Sequence, residues 1–309
     1  MGNDDRYRFA YRDQTWVVRL AGPHSQPGQP ASSSIQPSLA ARMLHELAVT
    51  ENDHILEIGT GTCYLTALLC HRLGASSITS IDIDPDLVDS AGRALDELGY
   101  TPTLATADGI YGYLDRAPYD RVLSTAAVEK VPQSWIDQTR TGGRIVTPLR
   151  SAIAVIDVHD DQHATGRFLP LVTRVLPLRT DTPAPPTHPL LLNTAHDTSV
   201  QRSPTPIRAL YDENFRFLLD LAIPGIEYHD QGPLGGFIMR HRDGSTVQIS
   251  STGQTLQHGP RRLCDDIAAI HEIWHKAGDP RPDRYRLTIK PQGQTISLDD
   301  PQSHHSWEL

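Results

Sequence analysis

The stretch from His54 to Leu65, HILEIGTGTCYL, constrains the chain more than any other. An apolar run (Ile55, Leu56) ends in Glu57, passes into Gly59-Thr60-Gly61, and resumes as Tyr64, Leu65, Ala67, Leu68 and Leu69 at the spacing of a buried helix face. Strand, glycine turn and helix together let backbone approach a nucleotide-like ligand at the C-terminal edge of a parallel sheet. Only the first two glycines of a G-x-G-x-x-G pattern are present, and an acidic residue precedes them, so a dinucleotide fingerprint fits poorly.

The alternation continues downstream. Residues 77–83 (SITSIDI) read as a second strand, ending in Asp82 and Asp84. An acidic side chain about 20 residues after the glycine turn is where a ribose diol is gripped. Residues 87–98 form an amphipathic helix, 101–106 a third strand before Ala107-Asp108-Gly109, 119–124 a fourth strand and 143–149 a fifth. Each strand ends in a polar residue or glycine, which predicts a parallel sheet with its ligand edge on one side. Upstream, one strand over 15–20 lies in a polar arm punctuated by Gly and Pro. Ser32-Ser33-Ser34-Ile35-Gln36-Pro37-Ser38 then leads into a helix marked by Leu39, Ala40, Met43, Leu44 and Leu47. Ser38 after Pro37 suits an N-cap; three more hydroxyls exceed what a cap needs.

E-x-G-x-G resembles the first motif of S-adenosylmethionine-dependent methyltransferases. GTGTCYLTALL, SIDID, ADG, PYDRVLSTAAVEKVP and GGRIVTPL, in that order over residues 30–150, resemble the successive motifs of the protein-L-isoaspartate O-methyltransferase family. The resemblance implies an α/β fold with a Rossmann-like methyltransferase domain and S-adenosyl-L-methionine as cofactor. It also implies that Gly59 and Gly61 admit the methionine part, Glu57 shapes the same turn, Asp82 binds the ribose, and Asp108 with Gly109 borders the adenine. Thr60, Tyr64 and Ile83 complete that set. The plainer readings are a helix cap for Asp82 and a simple turn for Asp108-Gly109. Two departures stand out. Cys63 occupies the usual third glycine, a position that serves close packing and should tolerate a small thiol. The family's substrate-contacting serine lies in a segment resembling T-I-S-x-P; here the chain reads Ser33-Ser34-Ile35-Gln36-Pro37, and a gapless alignment puts Ile35 on the serine. A one-residue shift assigns the catalytic role, orienting the acceptor carboxylate, to Ser33 and Ser34, against a capping-only role.

Residues 152–159 and 166–178 look like strands, and 179–206, with Pro183, Pro185, Pro186, Pro189, Pro204 and Pro206, reads as a linker. A smaller α+β unit follows: a helix over 211–222, strands at 236–240 and 245–250 joined by Asp243-Gly244, a helix over 263–277, and a hairpin of 285–289 and 294–298. The expected organisation is an arm (1–30), a methyltransferase domain (31–178), a linker (179–206) and a C-terminal peptide-recognition domain (207–309). Ordinary repair methyltransferases are expected to lack such an extension. FRFLLDLAIPG, GPRRL and SLDDP resemble the tail of the isoaspartate-methyltransferase homologues that accompany ATP-grasp ligases in ribosomal-peptide (graspetide) pathways. That resemblance implies a modified precursor peptide as substrate, an ATP-grasp ligase as pathway partner, and aspartimide (succinimide) formation at an Asp. General isoaspartate repair is the alternative.

The remaining features exclude other classes. A net charge of -9 disfavours a nucleic-acid partner held by phosphate contacts. No apolar window suits a membrane span or a secretory signal, so a cytoplasmic protein is expected. Cys63, Cys70 and Cys264 form no C-x-x-C pair and read as small buried hydrophobes. His271-Glu272-Ile273-Trp274-His275 is a literal H-E-x-x-H, yet Leu263, Ile267, Ile270 and Trp274 form that helix's apolar stripe and leave both histidines on its flank. No metal is expected.

Overall fold

Ile55–Ile58 is buried at every position, as befits a strand covered on both faces of its sheet. The computed structural model describes residues 12–20, 30–159, 163–181, 201–232 and 235–309; most of the expected arm and of the Pro-rich linker lies outside them. Strands β1 (Val17–Leu20) and β2 (Pro30–Ser33) pair antiparallel ahead of helix α1 (Pro37–Leu47). Next come β3 (Ile55–Ile58), α2 (Tyr64–Leu73), β4 (Ile78–Asp82), α3 (Pro85–Glu97), β5 (Thr103–Thr106), β6 (Tyr119–Ser124), α4 (Gln133–Asp137) and β7 (Thr139–Leu149). The order β5-β4-β3-β6-β7 is parallel throughout, as the alternation predicts. The chain leaves β3 on one side towards β4 and β5 and returns on the other to β6 and β7. That reversal opens a crevice at the strands' C-terminal ends.

The sheet then turns antiparallel through β8 (Ala152–Val158) and β9 (Ala164–Val172). Beyond it, β10 (Gln201–Arg202), α5 (Glu213–Ala222), β11 (Ile226–Asp230), β12 (Phe237–His241), β13 (Thr246–Ile249) and β14 (Gln254–His258) precede α6 (Leu263–Lys276). These strands form a separate five-stranded antiparallel sheet. The last strands, β15 (Tyr285–Lys290), β16 (Gly293–Leu298) and β17 (Ser306–Glu308), do not join it. β15 pairs with β9, so the main sheet has ten strands, running from β17 to β5.

The expected boundary at residue 207 therefore divides the sequence but not the packing. Phe217 of α5 stands edge-on to Phe168 of β9 at 5.4 Å and to Tyr285 of β15 at 5.2 Å, ring centre to ring centre. All three side chains are fully buried. The Gln294 amide is buried too, accepting from Val131 N (3.0 Å) and donating to Val131 O (2.7 Å). A hairpin with alternating Tyr285, Leu287 and Ile289 looks the same whichever sheet it joins; its partner is chosen by contacts remote in sequence.

Candidate active site

At the end of β3 the chain enters the glycine turn. Gly59 has φ +98°, and a Cβ there would stand 2.6 Å from Thr125 Oγ1. Gly59 N and Thr60 N both donate to Ile81 O, at 2.8 and 3.1 Å, which ties the turn to β4. Gly61 N donates to Asp82 Oδ2 (3.0 Å), while Asp82 Oδ1 accepts from Asp84 N (3.1 Å). The cap of α3 is Asp84, whose side chain accepts from Asp86 N (3.1 Å), so capping leaves Asp82 free to hold the turn. Cys63 has φ 57°. The missing third glycine thus concerns backbone conformation as well as packing, since a residue with a Cβ is strained there.

Glu57 lies behind this turn. Its carboxylate is buried and accepts from Thr66 Oγ1 at 2.5 Å, fixing α2 to β3; burial pushes its pKa up to about 7. Thr60 is buried with its hydroxyl 2.7 Å from Ser80 Oγ, whereas Tyr64 is 41% exposed on α2.

The opposite rim follows β5. Ala107 N donates to Asp82 O (3.0 Å). Asp108 Oδ1 accepts from Ile110 N (2.9 Å) and its Oδ2 from Asp181 N (2.9 Å), so this carboxylate both closes a turn and anchors the segment after β9. A Cβ on Gly109 would lie 2.5 Å from Ile58 Cγ2. Trp135 Nε1 donates to Gly109 O (2.8 Å) and Ser134 Oγ to Ile110 O (2.6 Å), so α4 braces the rim from below.

Between the rims is a cleft of about 600 Å3, counting the solvent at its mouth. Ser33, Gly59, Gly61, Asp82, Ile83 and Gly109 line it; Glu57, Thr60, Tyr64 and Asp108 stand behind or beside it. Residues that the sequence did not single out line it as well: Ile58, Thr125, Leu178 and Arg179. Arg179 Nη2 approaches Asp82 Oδ1 at 3.4 Å and its Nη1 approaches Asp84 Oδ2 at 3.7 Å. Arg19 of β1 grips Asp84 (2.6 Å) and Asp86 (3.0 Å), tying the arm to the same corner. No local motif announces either arginine.

A second, larger groove of about 1300 Å3 opens beside the cleft and shares Ser33, Thr125, Val175, Leu176 and Pro177 with it. Thr15, Ser34, Ile35, Gln36, Leu39, Arg174 and Glu213 also line the groove. Ser34 Oγ accepts from Trp16 N (3.1 Å). The expected N-cap at Ser38 is not formed: Gln36 stands at the cap of α1, and Ser38 N donates to Asp13 Oδ1 (2.8 Å). A carboxylate from the arm does this work because Pro37 occupies the first helical position and Ser38 already lies inside the helix.

The H-E-x-x-H residues sit away from both cavities. Glu272 pairs with Lys276 (2.6 Å), His275 with Asp279 (3.2 Å), and the His271 ring stands edge-on to Phe215. No described helix is long and apolar enough to cross a membrane.

Comparison with known proteins places this arrangement. The model of the protein-L-isoaspartate(D-aspartate) O-methyltransferase family matches residues 5–174, more than half of the chain. Protein-L-isoaspartate O-methyltransferase 1 of Syntrophobacter fumaroxidans is 34% identical over 148 residues, covering 48% of this chain and 68% of that protein. Protein-L-isoaspartate O-methyltransferase 2 of Shewanella sediminis is 41% identical over 115 residues, covering 37% and 46%. A solved structure titled protein-L-isoaspartate O-methyltransferase shares the fold at a TM-score of 0.55 and 21% identity, covering 95% of this chain and 89% of that one. The family model ends at residue 174, whereas the fold shared with that structure extends into the C-terminal region. The chain belongs to the protein-L-isoaspartate(D-aspartate) O-methyltransferase family of S-adenosylmethionine-dependent carboxyl methyltransferases.

Proposed function

We propose that this chain is a cytosolic enzyme that methylates a carboxylate of an aspartate-derived residue in a peptide, the free α-carboxylate of isoaspartate being the first candidate. The observation that carries the reading is the wall shared by the two cavities, Ser33, Thr125, Val175, Leu176 and Pro177. A carboxylate held in the groove there faces whatever the cleft holds.

The cleft residues fit S-adenosylmethionine. Side chains at 59 and 109 would strike Thr125 and Ile58, so the packing itself requires glycine at both positions, and both glycines line the cleft where the methionine part and the base would lie. Asp82, held at the turn by Gly61 N, offers carboxylate oxygens to ribose hydroxyls, and Ile83, Ala107 and Leu178 give apolar walls for a purine. When bound, the cofactor supplies an electrophilic methyl group on a sulfonium.

The chain's own part is positioning. A peptide carboxylate, with a pKa near ~3.9, is ionised at neutral pH and needs no strong base. Ser33, at the shared wall, and Ser34, which lines the groove, would orient it by hydrogen bonds; in-line placement at near-attack distance then supplies most of the rate. The resulting ester is attacked by the following backbone amide with loss of methanol, giving a succinimide.

A second reading has its own support in Ile35, which lines the groove where the family's serine is expected, and in the tail's resemblance to peptide-pathway homologues. On that reading the acceptor is a normal Asp in a cross-linked ribosomal peptide delivered by an ATP-grasp ligase, and the aspartimide is the product. Mass spectrometry separates the two. A generic isoaspartyl peptide and a candidate precursor, linear and cross-linked, are each incubated with enzyme and S-adenosylmethionine. Gain of one CH2 on the isoaspartyl peptide supports repair; gain of CH2 followed by net loss of water on the cross-linked precursor alone supports the second reading. No methylation of any acceptor refutes both.

A further inference from the structure

Arg174 is the one cation among the described residues lining the groove. The two arginines at the cleft are neutralised in place, Arg19 by Asp84 and Asp86, and Arg179 by Asp82 and Asp84. Arg174 has no ion pair among the described residues; its guanidinium lies over the Tyr228 ring, 5.8 Å from the ring centre, a contact that orients the group without neutralising it. Behind it is a second unpaired guanidinium. Arg216 of α5 lies 4.9 Å over the Phe237 ring and donates from Nε to Leu210 O. Burial, and then the charge of Arg174, hold its pKa below the ordinary arginine value, against the opposing pull of Asp230, Tyr228 and Glu213.

The nearby carboxylates act on these guanidinium groups at longer range, Asp220 on Arg174 and Asp230 and Glu213 on Arg216, but none of them forms an ion pair with Arg174 among the described residues. Asp220 accepts from Ser151 Oγ (2.6 Å) and Asp230 from Gly232 N (2.8 Å). One guanidinium at the wall of the groove, Arg174, and a second behind it, Arg216, each set over an aromatic ring, have the charge and donor geometry to take a carboxylate.

Resting on the reading of the groove as the acceptor site, we infer that Arg174, with Arg216 behind it, selects acceptor peptides that carry a second carboxylate near the one that is methylated. Arg174 binds this carboxylate and holds the peptide in place. The methylated oxygen must stay unpaired to remain nucleophilic, so the anion taken by Arg174 belongs to a neighbouring Asp or Glu side chain or to a chain terminus.

The test uses full-length enzyme and matched peptide pairs that differ by Glu or Gln at each position flanking the acceptor. Fluorescence anisotropy reads binding, and kcat and KM read turnover. Wild type should favour the best acidic peptide by about tenfold, through KM rather than kcat, as expected for one charge-assisted contact at an exposed site. Arg174→Gln should bring that ratio towards one, and Arg174→Lys should keep part of it. Equal wild-type affinity for every Glu and Gln pair overturns the inference, whatever the variants do. So does an acidic preference that survives in Arg174→Gln. Binding preference is measured without turnover, so absence of methylation with the preference intact overturns the reading of the reaction and leaves the anion receptor standing.

Discussion

The cleft and the groove meet at Ser33 but are built differently. In the cleft, polar groups already have partners within the fold: Asp82 accepts from Gly61 N and Asp84 N with Arg179 alongside, and Asp108 accepts from Ile110 N and Asp181 N. In the groove, Arg174 waits for an anion, and the lining comes from the arm, from the start of α1, from the segment after β9 and from α5. A site for a fixed small molecule gains from such preorganisation. A site for a varied peptide gains from surfaces supplied by several elements, because each can tune a different contact.

The largest expected effect comes from asking whether the two regions can be separated. A chain ending at residue 206 loses Phe217 from against Phe168, loses Tyr285 from behind Phe217, loses Gln294 from Val131, and leaves β9 as an open edge. Each large aromatic removed from a core costs about 3–5 kcal/mol, against a total stability of about 5–15 kcal/mol. Urea unfolding of the truncated chain should show no cooperative transition. A cooperative transition with S-adenosylmethionine binding intact would mean that the cleft folds independently and that 207–309 serves the groove alone.

This is also where the sequence was least informative. The cleft was legible because its chemistry is local: Gly59, Gly61 and Asp82 lie at the ends of strands whose apolar runs mark them out. The groove was not, because Arg174 and Glu213 gain meaning only once β9 and α5 are packed together. Strands β11, β14 and β17 also escaped notice; the burial pattern of β11 is mostly intermediate or exposed, and Gln254–His258 is largely polar. The antiparallel addition of β15 to β9 carries no local mark at all.

A smaller effect sharpens the account of the cleft by separating what lines it from what supports it. Glu57 has a folded pKa of about 7 against an ordinary 4.5, so the folded state holds this proton more tightly than the unfolded chain does. Stability should therefore fall as pH rises between those values, by up to about 3 kcal/mol from this group. Glu57→Gln, which carries no charge at any pH and still accepts from Thr66, should remove that part of the slope in urea unfolding measured across the range. A wild-type and variant pair with the same slope would mean that Glu57 is ionised in the fold and that α2 packs against a buried charge.

The smallest effects concern the arm's hold on the cleft. Asp82→Asn keeps an acceptor for Gly61 N but removes the charge proposed to meet the ribose hydroxyls; calorimetry should show S-adenosylmethionine bound about 30-fold more weakly, corresponding to about 2 kcal/mol for a charged hydrogen bond. Arg19→Ala breaks the pairs with Asp84 and Asp86, but the Arg19 side chain is 43% exposed and that of Asp86 76%. Exposed pairs contribute little, so cofactor affinity should change by less than about fivefold and the difference should shrink further at high salt. The sign also matters. If the clamp holds Asp84, and through Asp84 N the Asp82 carboxylate, the variant binds slightly more weakly; if the arm obstructs entry, it binds slightly more tightly. A loss as large as that of Asp82→Asn would make β1 part of the cofactor site, and the contrast between a closed cleft and an assembled groove would have to be redrawn with the arm on the cleft's side.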